Sequence, residues 1–385
     1  MPQSKESSAA EGTQIRGKMR KREVRFEKEE KRMSVEKTDG RGLVSGIYIR
    51  TNREITREDW ILEAFPEWGT FLNKEIEAME VPKGSVSLWW CGGPSWVLKT
   101  DEGGIFLIDQ WCGPSHYTTI DYCGVCKQNG APSMNWLRLN PQVIDPFSFG
   151  RVDGVFCTHV HNDHCDIYTV KGTMGTTDAV YVAPPETVKR LKEFEVPDER
   201  IVTAKVGNSI KLPGAEVEFL MNYDDCATKT GDGDAQPYED VACSFLFKTS
   251  AGNILFLGDT WYNDAYVAIG QKYDIDVAVF DIGYNAPGAF DKMTPYDGAR
   301  LGKALKAKVL IPDHWENWAN SSSDPDMLVR QFESISADIC PECKTVIMRC
   351  AGRFDYPKDQ DIRRYKYPDQ SDRFRLDHSM YAKYQ

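Results

Sequence analysis

The chain has 385 residues, 41% of them apolar and 27% charged, with a net charge of −11. That balance excludes a disordered or collagen-like chain and leaves room for one large domain or two. No apolar run approaches the ~20 residues of a membrane helix, and the acidic balance disfavours a nucleic-acid surface, which needs clustered positive charge.

Residues 1–40 differ from the rest: they hold 11 Lys/Arg against 8 Asp/Glu, so the remaining 345 residues carry −14. Residues 1–44 are polar and mixed in charge, with Phe26 the sole aromatic residue before Tyr48. This predicts a mobile charged tail. Thr56 and Asp59 then resemble a capping box, and Trp60, Ile61, Phe65, Trp68, Leu72 and Ile76 recur at roughly helical spacing. The pattern predicts a helical pair laid on the core, interrupted at Pro66.

From residue 86 the chain breaks into short apolar runs. IFLID (105–109), VDGVFCTH (152–159), AVYVAP (179–184), AEVEFL (215–220), CSFLFK (243–248) and NILFLGD (253–259) read as strands. DVAVFDIG (276–283), KVLIPDH (308–314) and TVIMRC (345–350) do too, with a hairpin at Thr249–Gly252. Helices are predicted from Thr294-Pro295 and Asp324-Pro325, each an N-cap followed by Pro. Strands with inserted helices indicate a layered α/β protein with two sheets inside.

Eleven cysteines, an odd number, without an apolar export segment predict free thiols in a reducing compartment, hence a cytoplasmic protein. Two pairs are C-x-x-C, Cys123/Cys126 and Cys340/Cys343, but their separation is far outside a zinc-ribbon spacing.

Asp109, His159, Asp259, Asp281 and His314 each close an apolar run. Side chains at strand ends can converge at one rim of a sheet. His159-Val160-His161-Asn162-Asp163-His164 places four ligand-capable residues within six positions, and three of the six histidines are here. Imidazole with carboxylate suits zinc, manganese or iron.

This H-x-H-x-D-H run resembles the metallo-β-lactamase superfamily. The resemblance implies a four-layer αβ/βα sandwich of the metallo-β-lactamase type over residues 45–385, here with an N-terminal helical addition. It makes Asp109 the first motif acid, structural at the site. It makes His159, His161, Asp163, His164, Asp259 and His314 the ligands of a divalent metal, with Mn(2+) or Zn(2+) expected. The superfamily usually supplies a further histidine near CSFLF, yet none lies between His164 and His314. The His159–His161 pair is thus one ligand short, Cys243 and Ser244 are poor replacements, and one tightly held metal is expected, with a second, weaker site left open.

A narrower resemblance spans roughly residues 55–355. ITREDWILEAFPEWGTFLNKEIE, SLWWCGG, Asp109–Gly113, VIDPFSF, THVHNDHCD, DKMTPYDGARLGKAL and KVLIPDHW are similar to the L-ascorbate-6-phosphate lactonases. Tyr284, where that family has a glutamate, and WENWANSS after His314 depart from it. The resemblance implies metal-assisted hydrolysis of a lactone, L-ascorbate 6-phosphate or a related sugar-acid lactone. Asp163 would shuttle a proton, and His159 and His161 would contact the reacting water or substrate. Lys292 and Arg353 are candidates for a substrate phosphate, and His116 for substrate or metal. The expected partner is a small molecule, without nucleic acid or membrane, and a homo-oligomer is compatible. A phosphodiesterase acting on a nucleotide or nucleic acid is the alternative chemistry for the same scaffold. A non-catalytic scaffold is the third reading, opposed by the intact Asp163/His164/Asp259/His314 set.

Overall fold

The computed structural model describes residues 56–64, 71–113, 141–229, 235–283, 292–316 and 325–361. The charged tail expected over residues 1–44 lies outside them. The helical pair is α1 (Arg57–Ala64) and α2 (Asn73–Ala78), and it buries Trp60 and Ile76. Trp60 Nε1 donates to the Cys112 carbonyl at 2.8 Å, so the indole docks this pair on the segment after Asp109.

The chain next builds β1 (Val86–Gly92), β2 (Ser95–Thr100), β3 (Ile105–Ile108) and β4 (Gly154–Phe156). Helices α3 (Ile167–Thr176) and α4 (Pro185–Glu193) alternate with β5 (Val180–Ala183) and β6 (Ile201–Thr203). A second set follows: β7 (Ser209–Leu212), β8 (Ala215–Met221), the short α5 (Tyr238–Val241), β9 (Cys243–Thr249) and β10 (Gly252–Phe256). It continues with α6 (Tyr266–Lys272), β11 (Val277–Asp281), α7 (Pro295–Leu305), β12 (Val309–Asp313), α8 (Pro325–Ile339) and β13 (Lys344–Thr345). The last strand, β14 (Gly352–Tyr356), returns to the first set beside β1.

Two seven-stranded sheets result, ordered β14-β1-β2-β3-β4-β5-β6 and β13-β12-β11-β10-β9-β8-β7. One apolar cluster joins the inner faces, with Leu88, Phe156, Phe245, Phe247 and Phe354 among its members, and extends to Ala299, Leu328 and Phe332 of α7 and α8. A second cluster joins the outer face of the first sheet to α1–α4. This is the expected four-layer sandwich. Phe156 meets Phe245 and Phe247 across the sheets, at ring separations of 5.1 and 4.9 Å. Phe156→Ala is expected to cost about 3–5 kcal/mol, read by denaturant unfolding, because the sheets cannot close on the cavity.

Helix starts follow their local chemistry. Thr294 Oγ1 accepts from Asp297 N at 3.1 Å ahead of Pro295, as the sequence predicts. TVIMRC behaves differently from expectation. Only Thr345 of that run is in a strand, and residues 346–351 carry the chain from the edge of one sheet to the edge of the other. Val346, Ile347 and Met348 are apolar because the crossing is buried.

Candidate metal centre

Strands β3–β6 are parallel, so their C-terminal ends share one edge. Strand β8 is antiparallel to β9, and β9 to β10, so β8 points the same way as the parallel set β10–β12. The residues that follow β3, β4, β8, β10 and β12 therefore meet where the two sheets come together. The approach is close. A methyl on Gly258, at φ +71°, would lie 2.5 Å from Thr158 Oγ1. Glycine is required there on both counts. His314 and Asp109 also have positive φ, 59° and 45°. Such backbone costs on the order of 1–3 kcal/mol per residue and persists only where the surroundings impose it.

The H-x-H-x-D-H loop is fixed at both ends. Strand β4 precedes it, and Asp166 caps α3 directly after it, accepting from Thr169 N at 2.8 Å. Inside the loop, Asn162 Oδ1 accepts from the buried Arg190 guanidinium of α4. Asp109 Oδ1 accepts from Thr158 N at 2.7 Å, and Asp109 Oδ2 lies 2.9 Å from His164 Nδ1. That contact commits Nδ1 of His164 and turns Nε2 towards the other sheet. Asp109→Ala is expected to weaken metal binding or turnover by about 10–100-fold, measured by metal titration, since the ring loses its orienting partner.

Two ligand clusters lie side by side. In one, His164 Nε2 is 3.3 Å from Asp259 Oδ1 and 3.8 Å from Asp163 Oδ2. His314 Nε2 is 3.1 Å from Asp163 Oδ2 and 3.7 Å from Asp259 Oδ1. In the other, His159 Nε2 is 2.8 Å from His161 Nδ1 and 3.6 Å from Asp224 Oδ2. Metal–ligand bonds of about 2.1 Å place neighbouring ligand atoms about 3.0–3.4 Å apart, so both clusters have near-coordination spacing.

Asp224 is the residue the sequence reading missed. It stands three positions after β8 in Met221-Asn222-Tyr223-Asp224. Its signal was the one used elsewhere, an acid just beyond an apolar strand. It supplies the third atom that the His159–His161 pair lacks, where the family resemblance implies a histidine. Cys243 does not: it is buried in the intersheet core, with Sγ 3.3 Å from the Ser244 carbonyl.

The donor set fits divalent metal. His164 Nε2 and Asp259 Oδ1 are buried and make no hydrogen bond. Asp109, Asp224 and Asp259 are almost fully buried, and Asp163 is 17% exposed. Four carboxylates thus crowd together, with the Lys292 ammonium on Asp259. Buried charge in this excess is costly unless cations enter. Burial opposes ionisation of Asp259, yet Lys292, His164 and His314 hold its carboxyl well below the usual range. Burial, with His164 and His161 nearby, keeps His159 well below its ordinary value and so neutral, as a ligand must be. Burial also opposes the charge on His164, but Asp259, Asp109 and Asp163 together push it up.

Other candidates fall elsewhere. His116 lies outside the described residues, as do Tyr284 and most of WENWANSS. Lys292 Nζ donates to Asp259 Oδ2. Arg353 is not brought to the centre. It lies opposite Trp89 in the β1–β14 register, on the outer face of the first sheet. Its guanidinium reaches Glu75 at 3.4 Å and Asp355 at 3.2 Å. Of the C-x-x-C pairs, Cys123/Cys126 is also outside the described residues. Cys343 ends up against α7, with Sγ 3.7 Å from the Gly302 carbonyl.

Comparison with known proteins agrees with this geometry. Residues 122–315 match the β-lactamase superfamily domain. The chain belongs to the metallo-β-lactamase superfamily. It is 35% identical over 331 residues to a protein of Escherichia coli O139:H28 (strain E24377A / ETEC) named "Probable L-ascorbate-6-phosphate lactonase UlaG". That match covers 82% of this chain and 94% of the relative. Among solved structures, a possible metal-dependent hydrolase from Veillonella parvula DSM 2008 superposes with a TM-score of 0.51 at 14% identity, over 71% of this chain and 99% of that one. Isothiocyanate hydrolase from Delia radicum gut bacteria gives 0.50 at 20% identity, over 70% and 98%. These structures share the metallo-β-lactamase-type fold. The chain is a metal-dependent hydrolase of this superfamily, and its His/Asp clusters are groups that could hold a divalent metal. No described helix is long and apolar enough to cross a membrane.

Proposed function

We propose that this protein hydrolyses the lactone ring of a small phosphorylated sugar acid, L-ascorbate 6-phosphate or a close relative, in the cytoplasm. The observation that carries the reading is the 35% identity to the lactonase-named relative over 94% of its length. The DKMT and FPEWG segments add to it, because they lie outside the shared metal motif. His159, His161 and Asp224 would hold one divalent ion, and Asp163, His164, Asp259 and His314 a second, with manganese or zinc suited to this nitrogen and oxygen set. Bound there, such ions supply Lewis acidity and lower the pKa of water from 15.7 towards about 7.

The chain's own groups do the rest. Asp109 and Thr158 orient His164. Asp163 is the carboxylate of the two clusters that solvent reaches, which suits it to take the proton released by the attacking water and pass it to the leaving alkoxide.

The test is a hydrolysis panel with manganese or zinc added in turn. It contrasts sugar lactones, their phosphorylated forms, cyclic nucleotides and phosphodiesters. Faster turnover of phosphorylated lactones is expected. Preferential cleavage of phosphodiesters would overturn the reading in favour of the phosphodiesterase.

A further inference from the structure

The two oxygens of Asp259 are used differently. Oδ1 faces His164 and His314, at 3.3 and 3.7 Å, inside the ligand cluster. Oδ2 accepts from the Lys292 ammonium. Both side chains are closed to solvent, 1% exposed for Lys292 and 2% for Asp259. A phosphate-binding lysine must meet its ligand, and this burial does not suit that role.

The lysine is delivered by the backbone. Gly283 N donates to the Met293 carbonyl at 3.0 Å, and Met293 N donates to Asp281 Oδ2 at 3.2 Å. These bonds pin residues 292–293 to the end of β11. The aliphatic stem then passes over Gly283, where a methyl would sit 3.1 Å from Lys292 Cγ and 3.2 Å from Cβ. The missing side chain at 283 is what gives the stem its path.

A buried ammonium is costly unless it is paired and hydrogen-bonded. The same holds for a buried carboxylate whose metal has left. A metal-holding acid also needs a fixed orientation, because a carboxylate free to rotate can offer both oxygens to one ion. The Lys292–Asp259 contact answers each need.

We propose that Lys292 is a positioning residue of the metal centre: it occupies Oδ2 of Asp259, so that this carboxylate would present Oδ1 alone to its ion, and it balances the buried charge when the metal is absent. The proposal rests on the metal centre described above, and is independent of the substrate.

The experiment compares melting temperatures of metal-stripped and metal-loaded protein for the parent, Lys292→Met and the double variant Lys292→Met/Asp259→Asn. In the stripped form, Lys292→Met is expected to melt roughly 10 °C lower than the parent, because the buried Asp259 carboxylate loses its ammonium partner. In the loaded form the fall is smaller, since the ions take over the balance. The stripped double variant regains most of the loss, because neither charge remains. Equal falls in both forms, or a stripped double variant melting no higher than Lys292→Met, would overturn the proposal. If stripped Lys292→Met does not fold, the double variant decides alone: it must fold without metal. A parent with the same melting temperature stripped and loaded would count against the metal centre itself. The stripped-form comparison would still test the pairing, and an error in the lactone assignment alters none of these readings.

Discussion

Asp259→Ala is expected to lose metal and hydrolysis together. Its Oδ1 sits within 4 Å of both His164 Nε2 and His314 Nε2, a reach it shares with Asp163 Oδ2, and unlike Asp163 it is almost fully buried. Turnover should fall on the order of a thousandfold, well beyond the ~10–100-fold typical of losing a group that only orients a ligand. The substitution also leaves Lys292 without its carboxylate, so Asp259→Asn serves as the companion variant that keeps the shape. The check is metal analysis after dialysis alongside the rate with excess metal, on protein shown to be folded. Full occupancy in Asp259→Ala would remove this residue from the ligand set.

Asp224→Ala is expected to halve the metal content, from about two ions per chain to about one, with activity falling on the order of a hundredfold. The ion held by Asp163, His164, Asp259 and His314 should stay, because Asp224 groups with the other cluster, its Oδ2 lying 3.6 Å from His159 Nε2. Asp224 Oδ1 also accepts from Ala227 N at 2.9 Å, so the variant loosens the turn after β8 as well. Asp224→Asn separates the two effects, keeping an acceptor for the turn while weakening the ligand. Two ions retained in Asp224→Ala would leave His159 and His161 to another third partner. One ion in the parent would restore the single-metal expectation drawn from the missing histidine.

The contrast between these residues shows what a sequence can carry. His159, His161, Asp163 and His164 were legible because four ligand-capable residues within one loop have few other uses. Asp259 and His314 were legible through strand-ending motifs in the right order. Asp224 had the same kind of signal, but a lone acid after a strand is common, and the family resemblance implies an imidazole at that point. The strand of β1 lacks alternation because all seven residues are buried, so its period says little. TVIMRC reads as a strand because a buried crossing and a buried strand need the same apolar residues. Lys292 and Arg353 are alike in sequence terms, two cations near the end of the chain. Only the packing separates them, one sealed against Asp259 and the other spread over the outer face with Glu75 and Asp355.

The return of β14 to β1 has a consequence for how the protein is made. Val86 pairs with Tyr356, so the first sheet waits for a partner 270 residues downstream. At synthesis rates of about 5–20 residues per second, that wait is roughly 14–54 s. During it, β1 and β2 exist as a tryptophan-rich hairpin with one unsatisfied edge, the kind of surface that recruits other strands. A nascent chain stalled before residue 352 would hold every proposed metal ligand and still lack the strand that shields this edge. Its hazard is aggregation, not loss of chemistry, and a chaperone that covers β1 early would protect it more than metal would.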